Sequence, residues 1–216
     1  GMKEVFGEYF GTSRLKDALV NVLLPAYEIE LRSPFFFRSS RARRDSAYDF
    51  SMQEAAMATS SAPTYFAPCK IITANTTDYY ALIDGGVFAN NPAMCAYVEA
   101  HSNNTNADGI FLLSLGTGEQ KLPLPYEQVE NWGLARWAQP LMNVVFDGVN
   151  DTIDYQLRIL LPPERSGMLR YYRFQPRIEE ESKLDDTSPE NIRRLKRMAR
   201  LMIRQYSEDL DRMCQQ

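Results

Sequence analysis

The sequence predicts an α/β fold, in which a buried sheet is covered by helices. Short apolar segments at residues 79–83 and 110–115 have the composition and length of buried strands. Helical patterns follow each of them, the first at residues 91–101, where Asn91 can act as N-cap and Pro92 occupies the first turn. Apolar strands that alternate with helices are typical of a sheet covered on both faces.

The remaining elements follow from local patterns along the chain. Thr12 or Ser13 can cap a helix that runs to Val22, and Pro25 ends it. Alternation and aromatic content predict strands from residue 26 onward. The further predicted elements are strands at 26–31 and 34–38, a helix at 50–59, an extended piece at 64–66, helices to about 137 and over 141–160, a strand at 169–174 and a last helix after Ser188.

Composition bounds the class of protein. The 216 residues are 44% hydrophobic and 24% charged, as in a folded globular domain, and we expect one domain over residues 1–216. The net charge of −4 argues against a nucleic-acid partner. No apolar run reaches the roughly 20 residues of a membrane span, and no leader is visible. Three cysteines outside any CxxC pattern predict reduced thiols, no metal site and a cytoplasmic location.

Asp84 is the most informative candidate residue. It ends the predicted strand at 79–83, and open α/β sheets place their active sites at such strand ends. Gly85 and Gly86 follow and allow a tight turn with close approach of another group. Two interpretations stay open at this point, a catalytic carboxylate and an ordinary Asp-Gly-Gly turn.

The segments around Asp84 resemble a known family. The string ATSSAPTYF at residues 58–66 and the string LIDGGVFANNP at 82–92 resemble the patatin-like phospholipases, and LSLGTG at 113–118 fits the strand and turn that follow. The resemblance implies a three-layer α/β/α domain that hydrolyses lipid acyl esters with a serine–aspartate dyad. In that family the dyad needs no histidine and no cofactor, and Asp84 would be its aspartate, with Gly85 and Gly86 as the supporting turn.

The resemblance also implies a nucleophilic serine on a G-x-S-x-G elbow upstream of the aspartate. The nearest string, GTSRL at residues 11–15, has Leu15 in the place of the second glycine, so Ser13 is interpreted as a helix cap. We therefore expect a patatin-like domain that is incomplete at its N-terminus, supplies Asp84 but no nucleophile, and is inactive by itself. The alternative is a non-enzymatic remnant or a binding module on the same fold.

The expected partners follow from this interpretation. They are a lipid or other acyl-ester substrate, and the missing N-terminal part or a second copy of the chain. Four arginines in the loop after residue 37 offer peripheral membrane contact as one interpretation, with an ordinary solvated surface as the other. These arginines are Arg38, Arg41, Arg43 and Arg44.

Overall fold

The computed structural model describes residues 1–73, 77–103, 109–178 and 185–214. It has an α/β fold, as the sequence predicts, and the chain divides into two compact units, Gly1–Asn106 and Ala107–Gln216. The assignment of residues 1–216 to one domain stays a prediction.

The first unit combines one sheet with short helices. Its strands are β1 (Leu23–Glu28), β2 (Ser33–Arg38), β3 (Cys69–Ile72) and β4 (Tyr79–Asp84). Its helices are α1 (Met2–Phe10), α2 (Ser39–Ala42), α3 (Met52–Thr59), α4 (Gly86–Ala89) and α5 (Ala93–Asn103). The predicted strands at 26–31, 34–38 and 79–83 and the predicted helices at 50–59 and 91–101 therefore exist, with shifted boundaries. The extended piece predicted at 64–66 is instead a turn.

The four strands pair in the order β2-β1-β4-β3, and every pairing is antiparallel. Leu23 lies opposite Arg38, and Ala26 lies opposite Asp84. Cys69 lies opposite Leu82. The starts of β1 and β3 and the ends of β2 and β4 therefore meet at one end of the sheet, which we call the Asp84 end.

The core of the first unit lies on one face of this sheet. Phe35, Phe37, Phe50 and Tyr80 pack ring against ring at centroid distances of 4.7–6.1 Å. Helix α3 contributes buried alanines to the same core, and their small side chains let the helix backbone approach the sheet. Ser51 caps α3 and forms a capping box with Glu54, which fixes where the helix begins.

The helix predicted from Thr12 or Ser13 to Val22 is wrong, and so is the role of Ser13 as its cap. Helix α1 ends before Gly11, which has a positive φ of 51°. The chain then makes tertiary hydrogen bonds, because Leu15 N donates to Phe50 O at 2.9 Å and Met52 N donates to Ser13 O at 2.9 Å. Contacts with distant residues thus override the local helical pattern.

The second unit contains two parallel strands, β5 (Leu112–Leu115) and β6 (Tyr171–Phe174). Its helices are α6 (Tyr126–Val129), α7 (Leu134–Leu160), α8 (Pro189–Gln205) and α9 (Ser207–Cys214). The predicted break between 137 and 141 is wrong, because α7 continues through Pro140. A proline costs one hydrogen bond, and the long helix on both sides persists. The cap at Ser188 is confirmed, since its Oγ accepts from Asn191 N at 3.2 Å.

Side chains also join α7 to β6. The Tyr171 hydroxyl donates to Asp154 Oδ1 at 3.0 Å, and burial together with this bond raises the pKa of Tyr171 to about 12.

Helix α7 exposes Leu134, Leu141 and Val144. Association with a missing N-terminal part or with a second copy of the chain stays a prediction.

Candidate active site

Asp84 is held at the end of β4 by its backbone and by one of its carboxylate oxygens. Its N–H donates to Ser61 O at 3.0 Å, and its Oδ1 accepts from Gly86 N at 2.7 Å. The side chain is half-buried. Within the described residues, the other oxygen, Oδ2, accepts no hydrogen bond. The carboxylate is thus fixed by one oxygen and keeps the other for a further donor.

Gly85 is required by a close approach of β1. A Cβ on Gly85 would overlap the carbonyl group of Pro25 and come within 2.7 Å of the Pro25 Cβ. Since real Cβ atoms do not approach this closely, any larger residue would push β1 and the turn apart. The nearest neighbour of a Cβ on Gly86 would be Asp84 Oδ1 at 3.2 Å, followed by Asn90 Oδ1 at 3.7 Å. Gly85 therefore allows β1 and the turn to pack closely, and Gly86 supplies the N–H that orients the Asp84 carboxylate.

The segment that follows α3 positions this turn. Thr59 Oγ1 donates to Pro25 O at 2.6 Å, so it holds the carbonyl against which Gly85 packs. Ser61 is buried, and its Oγ donates to Met57 O at 2.7 Å while its carbonyl receives the Asp84 N–H. In the sequence, residues 58–66 were interpreted only as a family signature, and no structural role was predicted for Thr59 or Ser61. The available signal was a run of three hydroxyl residues, Thr59, Ser60 and Ser61, just before Pro63.

The residues after Asp84 are packed onto the sheet. Phe88 of α4 lies 5.7 Å from Phe36 and 6.2 Å from Tyr27, measured between ring centroids. Asn91 is buried, and its Oδ1 accepts from Ala93 N at 3.2 Å, so it caps α5 as the sequence predicts. The turn at Asp84 is therefore anchored on both sides.

An apolar depression lies between the Asp84 end of the sheet and α5. Its volume is about 190 Å³. Burial raises the pKa of the Cys95 thiol in its wall, so this thiol stays protonated. The lining residues are Leu23, Phe36, Arg38, Met94, Cys95, Val98 and Glu99.

The structure does not bring Ser13 to Asp84. Ser13 is hydrogen bonded at the first turn of α3, through Met52, whereas Asp84 is hydrogen bonded just beyond its last turn, through Ser61. A helix of 8 residues is about 12 Å long. The two side chains therefore lie at opposite ends of α3, which separates Ser13 from the candidate carboxylate.

Other candidate groups lie outside this site. His101 is an exposed residue in the last turn of α5, with its ring 6.1 Å from that of Tyr97. Among the residues that the structure describes, no three His, Cys, Asp or Glu side chains are grouped to hold a metal ion. In the same ranges, every helix is too short or too polar to cross a membrane.

Comparison with known proteins identifies the family. The model of the patatin-like phospholipase family matches residues 2–97, a range that includes Asp84. Patatin-like protein 8 of Arabidopsis thaliana is 28% identical over 208 residues, which are 91% of this chain and 39% of that protein. Patatin-like protein 6 of the same plant is 30% identical over 226 residues, 96% of this chain and 43% of that protein.

A further relative bears a different description. Probable inactive patatin-like protein 9 of Arabidopsis thaliana is 27% identical over 150 residues, 66% of this chain and 39% of that protein. The chain thus spans about two fifths of the length of these three relatives. The family match at residues 2–97 and the similarity over almost the whole chain show that it belongs to the patatin-like phospholipase family.

Proposed function

We propose that this chain contributes Asp84 to the serine–aspartate dyad of a lipid acyl hydrolase. The observation that carries the proposal is the state of the carboxylate. One oxygen is fixed by Gly86 N at 2.7 Å, and within the described residues the other accepts no hydrogen bond. A carboxylate held in this way can receive the hydroxyl of a serine without reorganisation.

In the proposed reaction, the serine hydroxyl donates to Asp84 Oδ2. As the serine oxygen attacks the acyl carbonyl, its proton moves to the carboxylate, and the carbonyl electrons move onto oxygen. When the tetrahedral intermediate collapses, the bond to the alcohol breaks and the proton passes from Asp84 to that alcohol. Water then attacks the acyl-enzyme while the same carboxylate takes its proton. As the second tetrahedral intermediate collapses, the fatty acid is released and this proton returns to the serine oxygen.

The serine of this proposal comes from outside residues 1–216, since these contain no G-x-S-x-G string. Ser13 is unsuitable because it lies at the other end of α3 from Asp84. Activity therefore requires a longer protein in which an elbow is placed against the Asp84 turn.

We also propose a reducing, cytoplasmic location. The three cysteines are free thiols, and Cys69 is buried in the core of the first unit. Burial raises the pKa of Cys69, which keeps the thiol in its unreactive form. Fractionation of cells that express the tagged protein would test this location, and recovery from a secretory compartment would contradict it.

The second candidate function is a folded, non-catalytic binding module. It is favoured by the relative described as a probable inactive patatin-like protein, which is 27% identical over 150 residues. In this case, Asp84 has no chemical role, and its hydrogen bond from Gly86 N only stabilises the turn.

Hydrolysis of p-nitrophenyl butyrate separates these proposals. The 216-residue chain should show no turnover, whereas a longer gene product that carries an upstream elbow should hydrolyse the ester. Turnover by the purified short chain that disappears in Ser13→Ala would make Ser13 the nucleophile and contradict the dyad proposed here. A folded longer product that carries the elbow and has no activity on any acyl ester would favour the binding module.

A further inference from the structure

The loop Ala18–Val22, which precedes β1, presents two apolar side chains to solvent. Leu19 is fully exposed, and Val20 is 69% exposed. Single exposed apolar residues are ordinary on protein surfaces, so exposure alone carries no conclusion. The feature that needs an explanation is that this loop is held in place by several hydrogen bonds.

Arg43 and Ser39 brace the loop from α2 and its C-terminal end. The Arg43 guanidinium donates to Ala18 O at 2.6 Å, to Asn21 Oδ1 at 2.7 Å and to Val20 O at 3.3 Å. At the other side, Val22 N donates to the Oγ of Ser39 at 2.8 Å, and Ser39 N donates to Val22 O at 3.0 Å. The apolar tip is therefore pre-organised in an exposed position.

The loop lies at the Asp84 end of the sheet, because Val22 directly precedes Leu23. Two exposed aromatic residues, Tyr65 and Phe66, lie between Ser61, which contacts Asp84, and the start of β3, so they belong to the same end. Apolar side chains are thus exposed at the end of the sheet that carries the candidate carboxylate.

Positive charge accompanies this apolar tip. Arg43 and Arg44 are exposed, and none of the ion pairs within the described ranges involves them. Arg43 donates to the carbonyl oxygen of Lys16 and to carbonyl and amide oxygens of the loop, and Arg44 Nε donates to Ser40 O at 3.1 Å. Since these acceptors are neutral, both guanidinium groups keep their full charge for an anionic partner.

We propose that the Leu19–Val20 loop docks onto a lipid surface that carries anionic headgroups. The two apolar side chains enter the boundary between headgroups and acyl chains, while Arg44 contacts headgroup phosphates or carboxylates. Arg43, whose guanidinium braces the loop, adds positive charge beside it. Because the loop and Asp84 share one end of the sheet, docking brings the candidate carboxylate towards the surface where lipid esters lie. The inference rests on the proposed function for its choice of a lipid partner.

Flotation of the 216-residue chain with vesicles tests this docking. Vesicles of phosphatidylcholine with about 30% of the anionic lipid phosphatidylserine are compared with vesicles of phosphatidylcholine alone. We expect tighter binding to the anionic vesicles. The double variant Leu19→Ser/Val20→Ser should bind them at least about tenfold more weakly, since both apolar contacts are lost.

Leu31→Ser is the matched control. Leu31 is a leucine that is 74% exposed in the turn between β1 and β2, at the end of the sheet opposite to Asp84. This variant should bind like the wild type. Arg44→Gln should weaken binding to anionic vesicles by about fivefold and leave binding to phosphatidylcholine unchanged.

Three results would overturn the docking proposal. They are no binding of the wild-type chain to either kind of vesicle, undiminished binding of the double variant, and equal losses in the double variant and in Leu31→Ser. Failure of the dyad has a different readout, which is ester hydrolysis by the longer product. Asp84→Asn should leave vesicle binding intact, so the two proposals are tested independently. If the 216-residue chain binds vesicles as expected but the longer product hydrolyses no ester, the proposed function is contradicted and the docking surface is still supported.

Discussion

The Thr59 hydroxyl holds the carbonyl oxygen of Pro25 through a hydrogen bond of 2.6 Å. This carbonyl group is the one that Gly85 packs against. A threonine at the end of α3 therefore fixes how closely β1 approaches the turn after Asp84. The relationship links the two sequence blocks at 58–66 and 82–92, which are separate along the chain and adjacent in the fold.

Thr59→Val tests this link. Valine has the shape of threonine without the donor, so the variant should fold and lose about 0.5–1.5 kcal/mol of unfolding free energy. Urea denaturation followed by circular dichroism measures the change. Thr12→Val, at an exposed position before Ser13, is the control and should have no effect. Equal stabilities of Thr59→Val and the wild type would show that the hydroxyl contributes nothing to the turn.

Gly85→Ala should destabilise the first unit by about 1–3 kcal/mol, because the added methyl group overlaps the Pro25 carbonyl and forces the backbone to move. Gly86→Ala is the matched control in the same turn. The nearest atom to its methyl group would be Asp84 Oδ1 at 3.2 Å, with no backbone overlap like that at Gly85, so its cost should be clearly smaller. Denaturation of both variants under the same conditions checks the order, and a larger loss in Gly86→Ala would contradict the packing described here.

The sequence predicted the elements of this region better than their contacts. Local patterns predicted the strand that ends at Asp84, the strands within residues 26–38 and the helix before residue 59. They also predicted the caps Asn91 and Ser188. The hydrogen bonds from Thr59 to Pro25 and from Asp84 to Ser61 could not be predicted, because they join residues more than 20 positions apart. For the same reason, the segment after Gly11 was mistaken for a helix, since its conformation depends on Phe50 and Met52.

Asp49 gives the first unit a pH-dependent contribution to stability. Burial by itself raises the pKa of this carboxyl, but hydrogen bonds from Arg14 and Lys16 outweigh it and hold the pKa below the usual 3.8. A lowered pKa in the folded state means that the contribution is fully present above about pH 3.8. It is lost as the pH falls below this value and through the lowered pKa.

Asp49→Asn should therefore cost about 1.5–3 kcal/mol at pH 7, and the difference from the wild type should shrink below pH 4. Urea denaturation at several pH values between 7 and 2.5 measures this difference. Glu8→Gln, which changes an exposed carboxylate of α1, should show no such pH dependence. A constant difference down to pH 2.5 would indicate that packing, rather than charge, makes Asp49 important.

Asp84→Asn tests the central claim most directly, in a longer gene product that carries an upstream elbow. The amide oxygen of asparagine can still accept from Gly86 N, so the turn and the fold should persist, as circular dichroism would confirm. Because asparagine cannot take the serine proton, kcat for p-nitrophenyl butyrate should fall by roughly 10²–10⁴-fold, with little change in KM. A folded Asp84→Asn variant that keeps a near-wild-type kcat would contradict the catalytic role of Asp84 and leave it as a turn residue.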